Sequence, residues 1–386
     1  MRHEGYVRLV ALPSSCFRAE RAVSPVDGTE LWVVLDSELV SHGQATDFLR
    51  CLQGAGCSPH TVRVYAGRVA LFLGWCGDHG VDWASISLPD VARFKHWVEV
   101  TPWRGWQQRP GSTVNAILTA VCEFLRFCAR TGLIEQAVAD RLSERRFLRF
   151  LPLGFDPGES GQFRNVRARA IKAKAETPFP DALTPDQAKV VRGCCRRPRE
   201  DFLVTLLHDG GMRIGEALGL RRADMHLLPD SRSLGCAVVG AHVHVRHRTN
   251  PNGALAKSRL PRVVPASDAV LGAYGDYQVE RSAVLGGDDN DMVLVNLYHR
   301  PLGATMTYRG AKGFFDRLAT ECGFPVRPHM FRHTAATNWV RAGVDLDVVQ
   351  RLLGHASLAS STVYLHAADE DKRRAVEAVA AGARYR

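Results

Sequence analysis

One stretch, residues 328–366, holds several side chains able to act on a phosphate. It begins P-H-M-F-R-H-T and ends L-L-G-H-A-S-L-A-S-S-T-V-Y-L-H. His329 and Arg332 stand three apart and would share one face of a helix. His355 follows Gly354, the residue type that closes helices in a left-handed cap. Tyr364 comes nine residues later, behind Ser360, Ser361 and Thr362. A phenol close to imidazole and guanidinium groups suits attack on phosphorus, which needs a nucleophile and cations to hold the phosphate oxygens.

Two further cations precede that stretch. Arg213 lies in G-G-M-R-I-G-E-A-L-G-L, with Glu216 three residues on. Lys257 follows a turn-like N-P-N-G and precedes the β-like run Arg262-Val263-Val264-Pro265. Alone, each residue has a plainer reading. Arg213 can pair with Glu216, the histidines can be satisfied core or cap residues, and Tyr364 can be an amphipathic core residue. Their common order is what favours chemistry. His242, His244 and His247 form a separate cluster, with His242 and His244 on one face of a strand. No cysteine or acid follows at a supporting spacing, so these imidazoles are expected to face DNA or solvent rather than a metal.

The rest of the chain must position these residues. At 386 residues, 46% of them apolar, it suits about two or three domains with real cores and excludes wholesale disorder. The formal net charge of +10 suits an anionic partner such as nucleic acid. The 10 cysteines are scattered, without a Cys-x-x-Cys pair, which fits reduced thiols better than disulfides or a zinc finger. No signal-like pattern opens the chain, and no apolar run reaches the roughly 20 residues a bilayer requires, so a soluble cytoplasmic protein is expected.

Taken in order, residues 1–40 form an extension of unknown role, with β-leaning pieces Gly5–Val10 and Glu30–Leu35. Residues 41–150 read as an all-helical domain: apolar residues recur at helical spacing, Ser58-Pro59 and Leu88-Pro89-Asp90 open helices, and Ser112 caps a longer one. Its polar faces carry Arg63, Arg68, Arg93, Lys95, Arg126 and Arg130, either phosphate contacts or ordinary solvated charge. Residues 151–180 read as a basic linker, with glycines and prolines around Arg164, Arg167, Arg169, Lys172 and Lys174. Residues 181–386 begin with Thr184 as a helix cap, continue through β-like runs at Cys236–Val239 and His242–Val245, and read as helical after Leu271. The fold class is mainly α with a small antiparallel sheet (α+β).

The ordered set Arg213, Lys257, His329, Arg332, His355 and Tyr364 resembles that of the tyrosine recombinases, the phage-integrase family that includes the Xer proteins. G-G-M-R-I-G-E-A-L-G-L is similar to the segment around that family's first catalytic arginine, H-M-F-R-H-T to its His-x-x-Arg box, and L-L-G-H-A-S and T-V-Y-L-H to its second histidine and nucleophile. The resemblance covers about 181–370, and more weakly 41–150, which is similar to the family's core-binding domain. Phe331 stands where leucine is frequent and Gly215 where serine is frequent.

The resemblance implies a site-specific DNA recombinase or integrase. Tyr364 would attack a DNA phosphodiester to leave a 3′-phosphotyrosine and a free 5′-hydroxyl. Arg213, Arg332 and His355 would hold the non-bridging oxygens, Lys257 would be the general acid for the leaving oxygen, and His329 would assist proton transfer. No metal, cofactor or ATP is implied. The expected partner is double-stranded DNA bearing recombination sites, bound by a C-shaped clamp and a homotetramer, with accessory recombinases or architectural proteins as further partners and nucleoid association when DNA-bound. The rival readings are a type IB topoisomerase-like nicking and closing enzyme and a non-catalytic DNA-binding relative. The extension at 1–40 leans towards a mobile-element enzyme.

Overall fold

A computed structural model describes residues 17–103, 107–149, 164–175, 181–256, 261–287, 289–355, 364 and 376–377. The chain divides into two compact units, one mostly before residue 177 and one mostly after 178.

The first unit opens with an antiparallel hairpin, β1 (Arg18–Val23) and β2 (Glu30–Leu35). Val34 of β2 is fully buried in the same core as the helices that follow, so residues 17–35 are part of the helical unit and not a separate extension. The piece at Gly5–Val10 lies outside the described residues. Four helices form the body: α1 (Gly43–Gly54), α2 (Pro59–Asp78), α3 (Leu88–Val100) and α4 (Gly111–Arg130). The Ser58 side chain accepts from the Thr61 amide at 3.1 Å, and Ser87 and Asp90 form a reciprocal capping box.

The start of α4 differs from expectation. Pro110, not Ser112, is its N-cap, and no side chain caps it. The helix is instead pinned by long-range contact. A Cβ at Gly111 would lie 2.1 Å from the Lys174 carbonyl oxygen, so only glycine admits that backbone. One turn on, Asn115 donates to the Ala173 carbonyl at 2.9 Å and accepts from its amide at 3.0 Å. α4 is long and apolar enough to cross a membrane, which the sequence reading did not expect, but it is the core helix of this unit, burying Leu118, Val121, Phe124 and Leu125. A short α5 (Gln136–Arg141) leads into β3 (Ser143–Phe147), which pairs antiparallel with β4 (Asn165–Arg169). Residues 164–175 are therefore a strand and its anchor on α4, where a flexible linker was expected. Their basic composition concealed the pairing.

In the second unit α6 (Pro185–Gly193) starts on a Thr184–Gln187 capping box, and α7 (Pro198–Gly210) supplies the central buried helix. A five-residue α8 (Ile214–Leu218) precedes a three-stranded antiparallel sheet in the order β5 (Met225–His226), β6 (His242–Val245), β7 (Arg262–Pro265). The β-like run Cys236–Val239 is not a strand; only Val239 makes a bridge, to Asp230. The unit continues with α9 (Asp268–Leu285), α10 (Tyr308–Cys322), α11 (Pro328–Arg341) and α12 (Leu346–Leu353). The expectation of helix throughout the region after Leu271 fails between α9 and α10. There the chain is extended, with bridges Arg221–Met292 and Val295–Thr305. The buried Arg281 guanidinium donates to the carbonyls of Asn290, Met292 and Val293, and the Tyr277 hydroxyl donates to Val293, which satisfies backbone groups a helix would have satisfied internally.

Candidate active site

α11 carries His329, Arg332 and His333 on adjoining positions of its first two turns. Arg332 is buried, and its guanidinium donates to the carbonyls of Gly211 at 2.8 Å and Leu353 at 2.6 Å. Those two partners sit at helix ends, Gly211 after α7 and Leu353 at the end of α12, so one side chain ties three helices together. Burial, then the charge of Arg213, push the Arg332 pKa down to about 9, which leaves it cationic at neutral pH.

Arg213 is the N-cap residue of α8 and lies just outside it. Its side chain donates to Glu216 Oε1 at 2.9 Å, and its amide donates to Glu216 Oε2 at 2.8 Å. Glu216 is buried and also receives Arg262 of β7, at 3.1 Å on Oε1 and 2.6 Å on Oε2. Arg262 reaches on to the Leu352 carbonyl at 2.8 Å. Burial would raise the Glu216 pKa, but the hydrogen bond and charge of Arg262, with Arg213, outweigh it and hold the group below its ordinary value. Glu216 thus positions one candidate catalytic arginine and anchors the sheet to α12.

Gly215 has a steric role that the motif alone does not reveal. A Cβ there would lie 2.6 Å from the Leu255 carbonyl oxygen. The backbone that leads towards Lys257 passes directly over α8, and a serine at 215 would obstruct it. Lys257 itself lies outside the described residues.

Gly354 ends α12 in the left-handed conformation, φ 62°, and His355 follows it. Burial, then the charges of Arg332 and Arg213, push the His355 pKa down to about 4. The Tyr364 ring stacks near His355, with centroids 6.4 Å apart and planes 12° apart. Tyr364 is buried in a small cluster with Ala336, Val349 and Leu353. Its hydroxyl lies 2.9 Å from His333 Nδ1. Burial raises the Tyr364 pKa, and the charges of Arg332 and Arg213 oppose that rise.

Of the candidate residues, Arg213, Arg332, His355 and Tyr364 therefore share one electrostatic environment. His329 is exposed, one turn before His333, with ring centroids 5.3 Å apart. The imidazole at the phenol is His333, which the sequence reading passed over. The clue was there in H-M-F-R-H-T: His333 is at i+4 from His329. Arg262 and the Gly215–Leu255 approach had no local signal, because both depend on residues distant in sequence. His333 is driven down to about 4 by burial, then by His329 and Arg332, so it is neutral near pH 7 and able to exchange a hydrogen bond with a phenol.

Residues 182–371 match the model of the phage integrase family, and residues 45–132 match the N-terminal SAM-like domain of phage integrases, together more than half of the chain. The chain belongs to the phage integrase family of tyrosine recombinases. It is a site-specific recombinase of the tyrosine type. Transposase A from transposon Tn554 of Staphylococcus aureus is 27% identical over 355 residues, covering 89% of this chain and 92% of the relative. The tyrosine recombinase XerC of Roseiflexus sp. is 26% identical over 287 residues, 74% of this chain and 76% of that one. The fold is shared with the Tn1549 transposon integrase, solved with circular intermediate DNA: TM-score 0.58, 16% identity, covering 86% of this chain and 98% of that one. A lambda integrase dimer bound to a core site gives TM-score 0.55 and 13% identity over 84% of this chain and 94% of that one.

Proposed function

We propose that this recombinase cuts and rejoins duplex DNA through Tyr364, within a mobile genetic element. The observation that carries the proposal is the Tyr364 hydroxyl, 2.9 Å from His333 Nδ1 and within the fields of Arg332 and Arg213. The phenolic oxygen bonds to phosphorus as the bond from phosphorus to the 5′-oxygen breaks. The product is a 3′-phosphotyrosine and a 5′-hydroxyl. The phenol's proton passes towards His333, with His329 behind it, and the leaving oxygen takes a proton from Lys257. Arg213, Arg332 and His355 receive the charge that builds on the non-bridging oxygens. A tyrosine of ordinary pKa, about 10, is a weak nucleophile at neutral pH, so this stabilisation carries most of the rate. The covalent link conserves the phosphodiester energy, and rejoining to a new strand needs no ATP.

Double-stranded DNA is the substrate, and four protomers on two duplexes are the assembly that exchanges strands. The Tn554 and Tn1549 relatives support a mobile-element role. Arg145 and Arg167 stand directly opposite each other in the β3–β4 pair, with Arg167 also 3.4 Å from Asp140, and this exposed cationic pair suits contact with a phosphate backbone.

Tyr364→Phe tests the reading. It keeps the ring contacts and removes the nucleophile, so binding to a nicked suicide duplex should stay within about threefold while the covalent adduct disappears. An adduct that survives moves the nucleophile elsewhere. With the wild-type enzyme, exchanged strands on two site-bearing duplexes separate recombination from the relaxation of supercoils that a topoisomerase-like enzyme would give.

A further inference from the structure

A second group of reactive side chains lies at the edge of the catalytic unit's sheet. His226 and His242 are directly opposed in the β5–β6 pair, and His244 is two residues along β6, so strand alternation puts all three imidazoles on one face. The loop between the strands brings Cys236 over that face. The four ligand-type atoms lie within 4.8 Å of one another. Cys236 Sγ is 3.4 Å from both His242 Nε2 and His244 Nε2, and those two nitrogens are 3.1 Å apart. Around a tetrahedral zinc with bonds of about 2.0–2.1 Å to nitrogen and 2.3 Å to sulfur, such edges would be about 3.3 Å and 3.6 Å. Three of the four groups are thus already near ligand spacing.

Two details point to an ion. The His242 Nδ1 lies 2.6 Å from the Gly240 carbonyl oxygen. That contact requires Nδ1 to carry the proton, which turns the lone pair of Nε2 towards Cys236 and His244, as an outer hydrogen bond does for a metal-binding histidine. His226 is more than nine-tenths buried, and its Nδ1 has no hydrogen-bond partner among the described residues. A buried imidazole nitrogen left unpartnered beside a thiol and two imidazoles calls for a missing partner.

The loop is held to itself by the Asp230–Val239 bridge and by the Gly240 amide donating to the Pro229 carbonyl at 3.2 Å, but it buries little apolar surface. Within residues 227–241 only Ser231 is fully buried, while Leu228, Leu234 and Val239 are exposed. With so little apolar burial, a metal cross-link would add to what the backbone hydrogen bonds supply in holding the loop on the sheet.

We propose that His226, Cys236, His242 and His244 form a structural zinc site that staples this loop to the sheet. Four protein ligands leave no open position, so the site holds structure rather than chemistry. On binding, Cys236 loses its thiol proton and His244 Nε2 gives up any proton it holds against His242. The sheet so fixed includes β7, whose Arg262 grips Glu216, and so the zinc would steady the arrangement that positions Arg213. The partly exposed Cys236 and His244 leave the ion a way in.

The test uses the full chain free of tag histidines. Purified protein should carry about one zinc per chain. After stripping, Co²⁺ should give tetrahedral visible bands with a thiolate charge-transfer band. Cys236→Ala should lose that band and bind Zn²⁺ at least about 100-fold more weakly, while Cys194→Ala keeps both properties. Chelation should lower the thermal midpoint of the wild type but not of Cys236→Ala. Should Cys236→Ala misfold, His244→Ala, at a partly exposed position, should likewise bind Zn²⁺ more weakly and lose the chelator's effect on the midpoint, while the Cys236 thiolate band persists wherever Co²⁺ still binds. The idea is overturned if wild type and both variants bind Zn²⁺ equally weakly, or if chelation leaves the wild-type midpoint unchanged: the cluster is then a hydrogen-bonded network only. It is equally overturned if Cys194→Ala abolishes the cobalt band. None of these readouts depends on recombination, so failure here leaves the role of Tyr364 standing.

Discussion

In the helical unit Thr46 is the only polar side chain fully buried among the described residues, whereas the catalytic unit buries Glu216, Asp224, His226, His242, Arg281 and Arg332. The helical unit keeps its charges outside and pairs several of them within single helices, Arg93 with Asp90, Lys95 with Glu99 at 2.9 Å and Arg126 with Glu123 at 2.7 Å, and others between exposed elements, Arg21 with Glu30 and Arg167 with Asp140. An apolar core is sufficient for a scaffold whose charges all remain at the surface. The catalytic unit carries a desolvation cost for each buried ion and offsets it with hydrogen bonds, which fixes those charges in place as the proposed phosphate site requires. The two cores should therefore respond differently to substitution.

The largest difference should appear in the cleavage rate. Arg332→Ala removes the buried guanidinium proposed to hold the scissile phosphate, and on that proposal single-turnover cleavage on a suicide duplex should fall by at least about 10²–10³-fold. Arg126→Gln in the helical unit should leave cleavage at saturating DNA unchanged. Near-normal cleavage by Arg332→Ala would remove the case that the buried charges serve the chemistry.

Stability gives the next contrast. Glu216→Ala leaves Arg262 buried without its carboxylate and should cost about 3–5 kcal/mol in chemical denaturation of the catalytic unit. Phe124→Ala should cost the helical unit a similar amount, about 3–5 kcal/mol, through a cavity. The two should part on repair. Glu216→Gln keeps the shape and loses the charge, so it should recover only part of the loss. Phe124→Leu keeps most of the volume and should recover most of it.

The same contrast explains what could be read in the sequence. The Arg213–Glu216 spacing, the Gly354 cap before His355 and the caps at Ser58 and Thr184 are local relations that occur in the structure, whereas the cap expected at Ser112 does not. Helical periodicity exposed the apolar core of the first unit for the same reason. Buried charge is assembled from distant pieces. Arg262 meets Glu216 from another element, Arg332 reaches Gly211 and Leu353, and Cys236 closes on His226 only once the strands have paired. The β3–β4 pairing was hidden too, because its strands are rich in arginine and lack alternating apolar residues.

A smaller effect should follow pH. Burial first, then nearby positive charges, hold His333 and His355 near pKa 4, below the ordinary 6.5. In the unfolded chain both take up protons as the pH drops below about 6.5, while the folded chain resists until about 4. Their contribution to stability is complete above 6.5 and is lost as the pH falls through that window. His42 in the helical unit and His244 are lowered as well, so the wild-type slope alone assigns nothing. The comparison needed is His355→Gln, whose thermal midpoint should fall less between pH 7 and pH 5 than the wild type's. Equal slopes would mean that His355 protonates as easily in the fold as out of it.

The smallest change in stability should come from the helical unit's surface. Arg126→Gln breaks a part-exposed ion pair with Glu123, and such pairs contribute at most about 1 kcal/mol. Its unfolding midpoint should hardly move. If the paired cations exchange their carboxylates for phosphates when DNA binds, affinity should still drop, and the slope of log affinity against log salt should become shallower by about 0.9 for the phosphate no longer neutralised. An unchanged slope would leave Arg126 in its helix pair with bound DNA as without it, and would shift the phosphate contacts to cations such as Arg145 and Arg167, which face each other across β3 and β4. Measuring Arg126→Gln and Arg145→Gln over the same salt range distinguishes a helix face from a hairpin as the electrostatic footprint of this unit.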